Sequence, residues 1–264
     1  MDGKAKKKGL IIFLSIAVLS FVGSFFTGGG ADVESLKTVM RDEVLHETNK
    51  ISLFGLKDVN PGLMSAYVVT AAIFIAALCI RIFVIPRFKI VPGRLQSTLE
   101  WTVGFFDDLA KSNSPRLNGF LGAYIFTAGV YIFVGTVFEL FGIQAIATNG
   151  VSIPLPAPLS DINGALMLGC LSYLVIMSGG IAKNGLRGVG LTLKEFSLPI
   201  SMSFRLFGAL LSGALVTELV YYSMYLSYGL PVIVGVLFTL LHALIQAYVL
   251  TMLTALFYGE VSGK

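Results

Sequence analysis

The chain has 264 residues, of which 55% are hydrophobic and 13% are charged, and its mean hydropathy is +0.83. Soluble domains carry about 25% charged residues, so this composition excludes an ordinary soluble protein and indicates a polytopic membrane protein. The net charge of +4 would suit a nucleic-acid binder, but the bases cluster at the ends of predicted helices. We therefore expect a lipid bilayer and no nucleic acid as a partner.

A hydrophobic segment opens the sequence. Several lysines precede an apolar run from Leu10 to Phe26, which is long enough for a short membrane span. The small residues at 29–31 resemble a signal-peptidase site, so a membrane anchor and a cleaved signal are equal alternatives for residues 1–31. Both alternatives place the polar, acidic-leaning segment 32–62 outside the membrane.

The next predicted span covers residues 63–85. A basic cluster adjoins its end and is formed by Arg81, Arg87, Lys89 and Arg94. Under the positive-inside rule, this cluster is the strongest indication of an inner-facing loop in the sequence. Residues 95–109 then predict an amphipathic helix that is too polar to span, and we expect it at the inner membrane surface.

Two more spans are predicted at residues 121–141 and 165–182. No lysine or arginine occurs between Arg116 and Lys183, so the loop 142–162 is expected to face outside. A second basic turn follows the fourth span and indicates the inner side. The glycines of this turn lack the preceding strand of a dinucleotide-binding loop, and we expect a plain turn there.

The last two predicted helices, 196–222 and 231–258, are each about 40 Å long at 1.5 Å per residue. The hydrocarbon core is only about 30 Å thick, so these helices must tilt steeply as a hairpin. The predicted fold is thus an all-α polytopic membrane protein. It has five core spans or steeply tilted helices, a surface amphipathic helix and an additional N-terminal hydrophobic segment. Residues 63–264 form the membrane domain, and the C-terminus is expected inside.

Arg205 lies about ten residues into an apolar helix. An arginine near mid-membrane costs about 2.5–3.5 kcal/mol on insertion scales, which makes it a functional candidate. The residues that share its helix face are Ser201, Gly208, Ala209 and Ser212. Small residues allow another helix to approach closely. The acids of the hairpin, Glu195 and Glu218, are both more than one turn from Arg205. Its partner is therefore an acid elsewhere in this chain or one on another protein.

The facing helix carries further polar groups. Counting from the hairpin turn puts Gln246 at a depth similar to that of Arg205. Glu218 and His242 both lie on the outer side of that depth, where they could form a polar path partway across the membrane. Chains of acids and histidines are typical of proton relays.

No other site chemistry is indicated. The two cysteines, Cys79 and Cys170, and the two histidines, His46 and His242, form no metal-binding spacing. Signatures of nucleotide-binding loops and nucleophile elbows are absent. We expect no cofactor and no metal.

Four stretches resemble the a subunit of F-type ATP synthases. PISMSFRLFGALLSG at 199–213 is similar to that family's arginine-helix signature, and IQAYVLTMLTALF at 245–257 to its last-helix signature. LPAPLSDINGAL at 155–166 and VPGRLQSTLEWTVGFF at 91–106 resemble its outer loop and its surface helix. The resemblance covers roughly residues 48–260 in the family's order.

The resemblance implies roles for single residues. Arg205 would face the ion-carrying carboxylate of the c-subunit rotor ring, and Gln246 would be the glutamine of the facing helix. Asp161 and Asn163 would be the polar pair that enters the fourth span, and Glu139 the acid at the outer end of the third.

The implied function is that of a stator in a rotary motor at a bacterial-type inner (plasma) membrane. H⁺ or Na⁺ would pass through two offset half-channels, and the subunit would not be catalytic alone. The outer half-channel would be formed by Glu218, His242, Glu139 and Asp161, and the inner one would lie near Ser201 and Glu195. The expected partners are the c-subunit ring, b-type peripheral stalk subunits and the remainder of the ATP synthase complex. The alternatives are a self-contained secondary transporter or channel, for which no inverted repeat is evident, and a structural anchor.

The chain departs from the family pattern at three positions. Ala209 stands where the family usually has asparagine, and Ala214 where it often has glutamate. Thr239 replaces an acid or histidine. Glu218 and His242 are therefore each shifted along their helices relative to the family's polar groups.

Overall fold

The computed structural model describes most of the membrane domain. The described residues are 51–53, 56–115, 118–146, 150, 152–222 and 230–262, together with Ser15, Val18, Leu19 and Val22. The predicted N-terminal segment 1–31 lies outside them apart from those four helical positions, as does most of the outer polar segment 32–62.

A short antiparallel hairpin precedes the first described span. Its strands are β1 (Ile51–Leu53) and β2 (Leu56–Val59), with Ile51 paired to Val59. Helix α1 (Pro61–Cys79) follows, and its start is capped because the Gly62 N–H donates to Asn60 Oδ1 at 2.8 Å. Proline at the first helical position costs no hydrogen bond there.

Helix α1 ends irregularly. It continues as a π-helical turn (Ile80–Val84) and a 3₁₀ turn (Ile85–Arg87). Pro86 has no backbone N–H to donate and clashes with the preceding turn, which accounts for the loss of regular α-helix here. Helix α2 (Arg94–Asn113) then begins after Pro92 and Gly93.

The next two spans run in opposite directions and are joined by a second hairpin. Helix α3 (Asn118–Phe138) ends in a 3₁₀ turn (Glu139–Phe141), and Gly142 closes that turn with φ +58°. Strands β3 (Gln144–Ile146) and β4 (Ser152–Pro154) pair antiparallel and lead to helix α4 (Ile162–Asn184).

The expected plain turn after α4 is wrong, because it contains helix α5 (Leu186–Leu193). Tertiary packing stabilises this glycine-rich helix. Gly188 lies directly against the backbone of Gly180 in α4, and the Tyr173 hydroxyl donates to the Thr192 carbonyl at 2.9 Å. These contacts join residues distant in sequence, so local spacing did not reveal them.

Helices α6 (Ser197–Tyr222) and α7 (Leu230–Ser262) form the C-terminal hairpin. With 33 residues, α7 is about 50 Å long, which exceeds the thickness of a bilayer core. The mutually packed helices are α3, α4, α6 and α7, and their contact surfaces form the main core. Its fully buried side chains include Leu121, Ile125, Ile176 and Leu206.

The predicted fold class is confirmed. In the described part of the chain, five helices are long and apolar enough to cross a membrane: Pro61–Arg87, Gly119–Phe141, Ile162–Asn184, Ser197–Val216 and Ile233–Ser262. The predicted spans match observed helices, with ends that differ by a few residues. The two small β-hairpins were not predicted.

The contact between α4 and α6 depends on a glycine. A Cβ atom on Gly169 would collide with Ser203 Oγ and would lie 2.9 Å from the Pro199 carbonyl oxygen. The Ser203 hydroxyl already donates to that carbonyl. Small residues let membrane helices approach this closely.

We expect Gly169→Ala to destabilise the chain, since the added methyl group forces α4 and α6 apart at a cost of about 1–3 kcal/mol. The midpoint of thermal unfolding in detergent should fall. Gly235→Ala in α7 is the matched control, because a Cβ atom at that position meets no atom within 4 Å. Equal stability of the two variants would contradict the packing described.

Candidate functional site

Helix α6 presents two different faces. Its buried side chains, Met202, Ser203, Leu206 and Leu210, pack into the bundle. The exposed positions of the opposite face include Ser201, Arg205, Gly208 and Ser212. Since this helix is otherwise apolar, the exposed face places a permanent cation on the outer surface of the bundle.

Arg205 has no acidic partner in the described parts of the chain, where it forms no ion pair. A Cβ atom added to nearby Gly208 would meet no atom within 4 Å. The face that carries Arg205 is therefore bare along at least one helical turn. Of the two origins predicted for the partner of Arg205, the surroundings favour another protein.

A polar crevice lies between α3, α6 and α7. Its lining residues are Thr136, Glu139, Leu210, Gly213, Ala214, Thr239 and His242. Glu139 and His242 thus line the same crevice. The sequence analysis had assigned both to the outer half-channel but gave no contact between them. Glu139 lies in the turn that ends α3, and His242 reaches it from α7.

The orientation of His242 follows from one hydrogen bond. Its Nδ1 lies 2.8 Å from the Phe238 carbonyl oxygen. A carbonyl oxygen only accepts hydrogen bonds, so Nδ1 is the donor in this contact, which fixes the ring orientation. The ring also stacks on Phe238 with centroids 5.9 Å apart.

Gly213 makes room for His242. A Cβ atom on Gly213 would lie 3.8 Å from His242 Nδ1, so these two positions face each other across the hairpin. Counting eight residues from this pair along both antiparallel helices puts Leu250 opposite Arg205. The sequence count put Gln246 level with Arg205. In the structure, Gln246 lies one turn, about 6 Å, nearer the hairpin loop than Arg205 does.

Gln246 is nearly buried, with 6% of its surface exposed, whereas Arg205 is exposed. No hydrogen bond between described residues joins the two side chains. The arginine and the glutamine thus lie on paired helices, about one helical turn apart and without direct contact.

Asp161 and Asn163 line a different crevice, between α1, α3 and the start of α4. Its volume is about 340 Å³, and Tyr131 and Pro158 also contribute to its wall. The Asn163 side-chain amide donates to Asp161 Oδ1 at 3.4 Å. The structure therefore separates this polar pair from Glu139 and His242, although both crevices open towards the end of the bundle where α3 ends and α4 begins.

The two remaining candidates for an inner path, Glu195 and Ser201, both precede Arg205 at the start of α6. Glu195 is half-buried in the connection between α5 and α6, where its N–H donates to the Thr192 carbonyl at 2.9 Å. Ser201 is exposed one turn before Arg205 on the same face of α6. The backbone of Glu218 lies in the last two turns of α6, and its side chain lies outside the described residues.

Sequence reasoning missed Thr136 as part of the crevice. Its position three residues before Glu139 puts both on one helix face, which was the available signal. By contrast, Thr251 and Thr254 are fully buried and donate to helix carbonyls at 2.7 and 2.8 Å. Their hydroxyls are satisfied locally and do not extend a polar path.

Comparison with known proteins places these residues in a family context. A family model described as ATP synthase A chain matches residues 64–259, a range that contains every candidate above. ATP synthase subunit a of Cereibacter sphaeroides is similar, at 25% identity over 228 residues that cover 82% of this chain and 85% of the relative.

We predict that Gly213→Cys combined with His242→Cys forms a disulfide on mild oxidation, because a Cβ atom at position 213 would lie 3.8 Å from the Nδ1 atom of the side chain at position 242. A disulfide needs the two Cβ atoms about 3.5–4.5 Å apart, so the cross-link tests whether the two positions face each other. Both native cysteines are exposed, so Cys79→Ser and Cys170→Ser supply the background. Mass spectrometry of the digested chain identifies the cross-link.

The control pair is Gly208→Cys with His242→Cys, in which the new cysteine of α6 lies on the bare face. This pair should remain reduced. A cross-link in the control but not in the test pair would show that the hairpin has a different register.

Proposed function

The chain belongs to the ATP synthase A chain family and is a multi-pass membrane component of that complex, and we propose that it is the stator of the rotary motor. In this role it passes H⁺ or Na⁺ to and from carboxylates of a c-subunit ring through two offset half-channels. The observation that carries the proposal is the exposed Arg205 on α6, which forms no ion pair with any residue that the structure describes.

The physical requirement comes from the rotor carboxylate. A carboxylate crosses lipid only in its neutral form, since an ionised one needs an opposite charge beside it. Arg205 supplies that charge and does not lose its proton at any working pH. As a permanent cation it also stops an ion from passing directly between the two half-channels.

The outer half-channel is assigned to the crevice of Glu139 and His242. His242 supplies an imidazole and Glu139 a carboxyl group in the same crevice, and chains of such groups are typical of proton relays. The crevice is narrow, with a volume of about 10 Å³, and Gly213 in its wall is eight residues, or about 12 Å, from Arg205 along α6. Glu218 belongs to the same path near the hairpin loop.

Asp161 and Asn163 are proposed as a separate entrance. Their crevice opens at the same end of the bundle but is lined by α1 and α4. Such an entrance would hold water and deliver ions towards α3. The contribution of Asp161 and Asn163 to the rate of ion conduction should then be independent of the Glu139–His242 crevice.

The inner half-channel is assigned to Ser201 and Glu195. Both precede Arg205 along the chain, on the side away from the Glu139–His242 crevice, and Ser201 shares the exposed face of Arg205. The offset between the two paths converts ion flow into rotation, and a potential of 100 mV supplies about 2.3 kcal/mol per charge.

The exposed faces of the helices also suggest where the other subunits bind. The c-subunit ring is proposed to cover the face of α6 that carries Arg205, and b-type stalk subunits to contact other helices. The positive-inside rule supports a C-terminus on the inner side of a bacterial-type plasma membrane.

Arg205→Ala should reduce ATP synthesis by membrane vesicles to background, because the rotor carboxylate loses its counter-charge. Arg205→Lys should also lose most activity, since an ammonium group is more strongly hydrated and lacks the planar fork of a guanidinium. Arg187→Gln serves as the control for charge removal elsewhere. Normal synthesis by Arg205→Ala vesicles would refute the proposal.

A double-mutant cycle separates the two crevices. Glu139→Gln and His242→Gln should both slow passive ion conduction by the membrane sector, and their combined effect should be non-additive by more than about 0.5 kcal/mol. Asp161→Asn combined with His242→Gln should be additive to within that limit. Additivity in the first cycle would show that Glu139 and His242 do not form one path.

A further inference from the structure

A large apolar cleft lies on the side of the bundle away from the Arg205 face. It has a volume of about 850 Å³ and separates α1 from α2 and α3. Ala72 and Ala76 of α1, Leu99 and Val103 of α2, and Val130 of α3 form part of its lining. Helix α1 stands apart here, since its only buried residues are Pro61, Gly62, Ser65 and Val69 near its start.

A basic pocket adjoins one end of this cleft. Its volume is about 570 Å³, and three cations line it: Arg87, Lys89 and Arg94. Phe88 lines both the pocket and the cleft, so the two spaces are neighbours. Among the described residues, none of the three cations forms an ion pair.

Hydrogen bonds between Gln96 and Lys89 hold one wall of the pocket in place. The Gln96 side-chain amide donates to the Lys89 carbonyl at 2.9 Å, and its oxygen accepts from the Lys89 N–H at 3.0 Å. This two-point contact holds the 88–93 loop against the start of α2. It fixes the backbone that presents Lys89 beside Arg94.

The two acidic residues of the cleft, Asp107 and Glu100, repel a bound anion only weakly. Asp107 forms an ion pair with Lys111, and this hydrogen bond raises the pKa of Lys111 above its ordinary value. Glu100 accepts a hydrogen bond from the Gln96 amide at 2.7 Å. Both carboxylates are therefore engaged within α2.

We propose that the cleft and the basic pocket together bind one anionic phospholipid, with its phosphate among Arg87, Lys89 and Arg94 and an acyl chain between α1 and α3. Basic pockets beside membrane helices recognise anionic headgroups in this way. The apolar cleft takes the acyl chain because it offers almost no polar surface to a hydrated ligand.

The charge distribution favours a lipid over a transmembrane helix of another subunit. The cleft is lined mainly by apolar residues, and three cations lie together in the pocket at one end of it. An anionic phospholipid has the matching arrangement, with its negative charge at the end of apolar chains.

The position of the pocket also suits a headgroup. Arg87 ends a helical run that begins at Pro61, beside Asp161. Those 27 residues extend about 40 Å, so the basic pocket and the Asp161 crevice lie at opposite ends of the run. The charged end of the proposed lipid would thus lie at a membrane surface.

The test is native mass spectrometry of the purified full chain in detergent, titrated with phosphatidylglycerol and with phosphatidylcholine of the same acyl chains. We expect tighter binding of phosphatidylglycerol and a preference that weakens as salt rises. Arg87→Gln with Arg94→Gln should weaken phosphatidylglycerol binding by about 25-fold, or about 5-fold per cation.

The matched control is Arg187→Gln with Lys194→Gln, which removes two charges from the other basic turn and should leave binding unchanged. Ala76→Trp fills the cleft and should weaken both lipids while the preference for the anionic one persists. Binding should also persist in Arg205→Ala, because the proposed lipid site is independent of ion translocation.

Two results would overturn the proposal. One is an equal affinity for the two lipids, or an equal loss in both double variants, which would indicate only a general attraction between basic loops and anionic lipid. The other is loss of a neighbouring membrane subunit from the purified complex of the Arg87→Gln/Arg94→Gln variant without loss of bound phosphatidylglycerol. That result would show that a protein helix occupies the cleft.

Discussion

A permanent cation on an apolar helix constrains the rest of this molecule. Arg205 is costly in lipid unless a negative charge or water lies beside it, and the surrounding bundle supplies no acid within ion-pair distance in the described residues. The bundle therefore has to hold the arginine rigidly on an open face. Under the proposed function, the arginine remains available to the carboxylate of a partner.

The packing of α6 meets this requirement. One face is buried through Met202, Leu206 and Leu210, and Gly169 of α4 allows α6 to approach within backbone contact. These contacts fix the rotation of the helix, so the opposite face is always the exposed one. The crevice of Glu139 and His242 then lies beside α6, on a different side from that face. The polar crevice and the exposed arginine thereby lie at separate places around the same helix.

Sequence patterns predicted some features well and others poorly. Composition and apolar runs predicted the five spans because a membrane imposes length and polarity on each helix separately. The helical nature of α5 depends on contacts such as Gly188 with Gly180, which local spacing does not contain. The predicted alignment of α6 with α7 differs from the observed one by about one helical turn. Counting from the centre of the loop cannot show that Gly213 packs opposite His242.

The sequence by itself determined the membrane class and the order of the spans, and it predicted Arg205 as the functional candidate, since the cost of a charge in lipid follows from its position in an apolar run. Tertiary structure alone decided which polar residues meet. Glu139 joins His242, whereas Asp161 lies in another crevice, because the helix rotations and crossings that place them come from packing between distant segments. The same packing leaves α1 apart from α2 and α3 and so opens the apolar cleft beside the basic pocket.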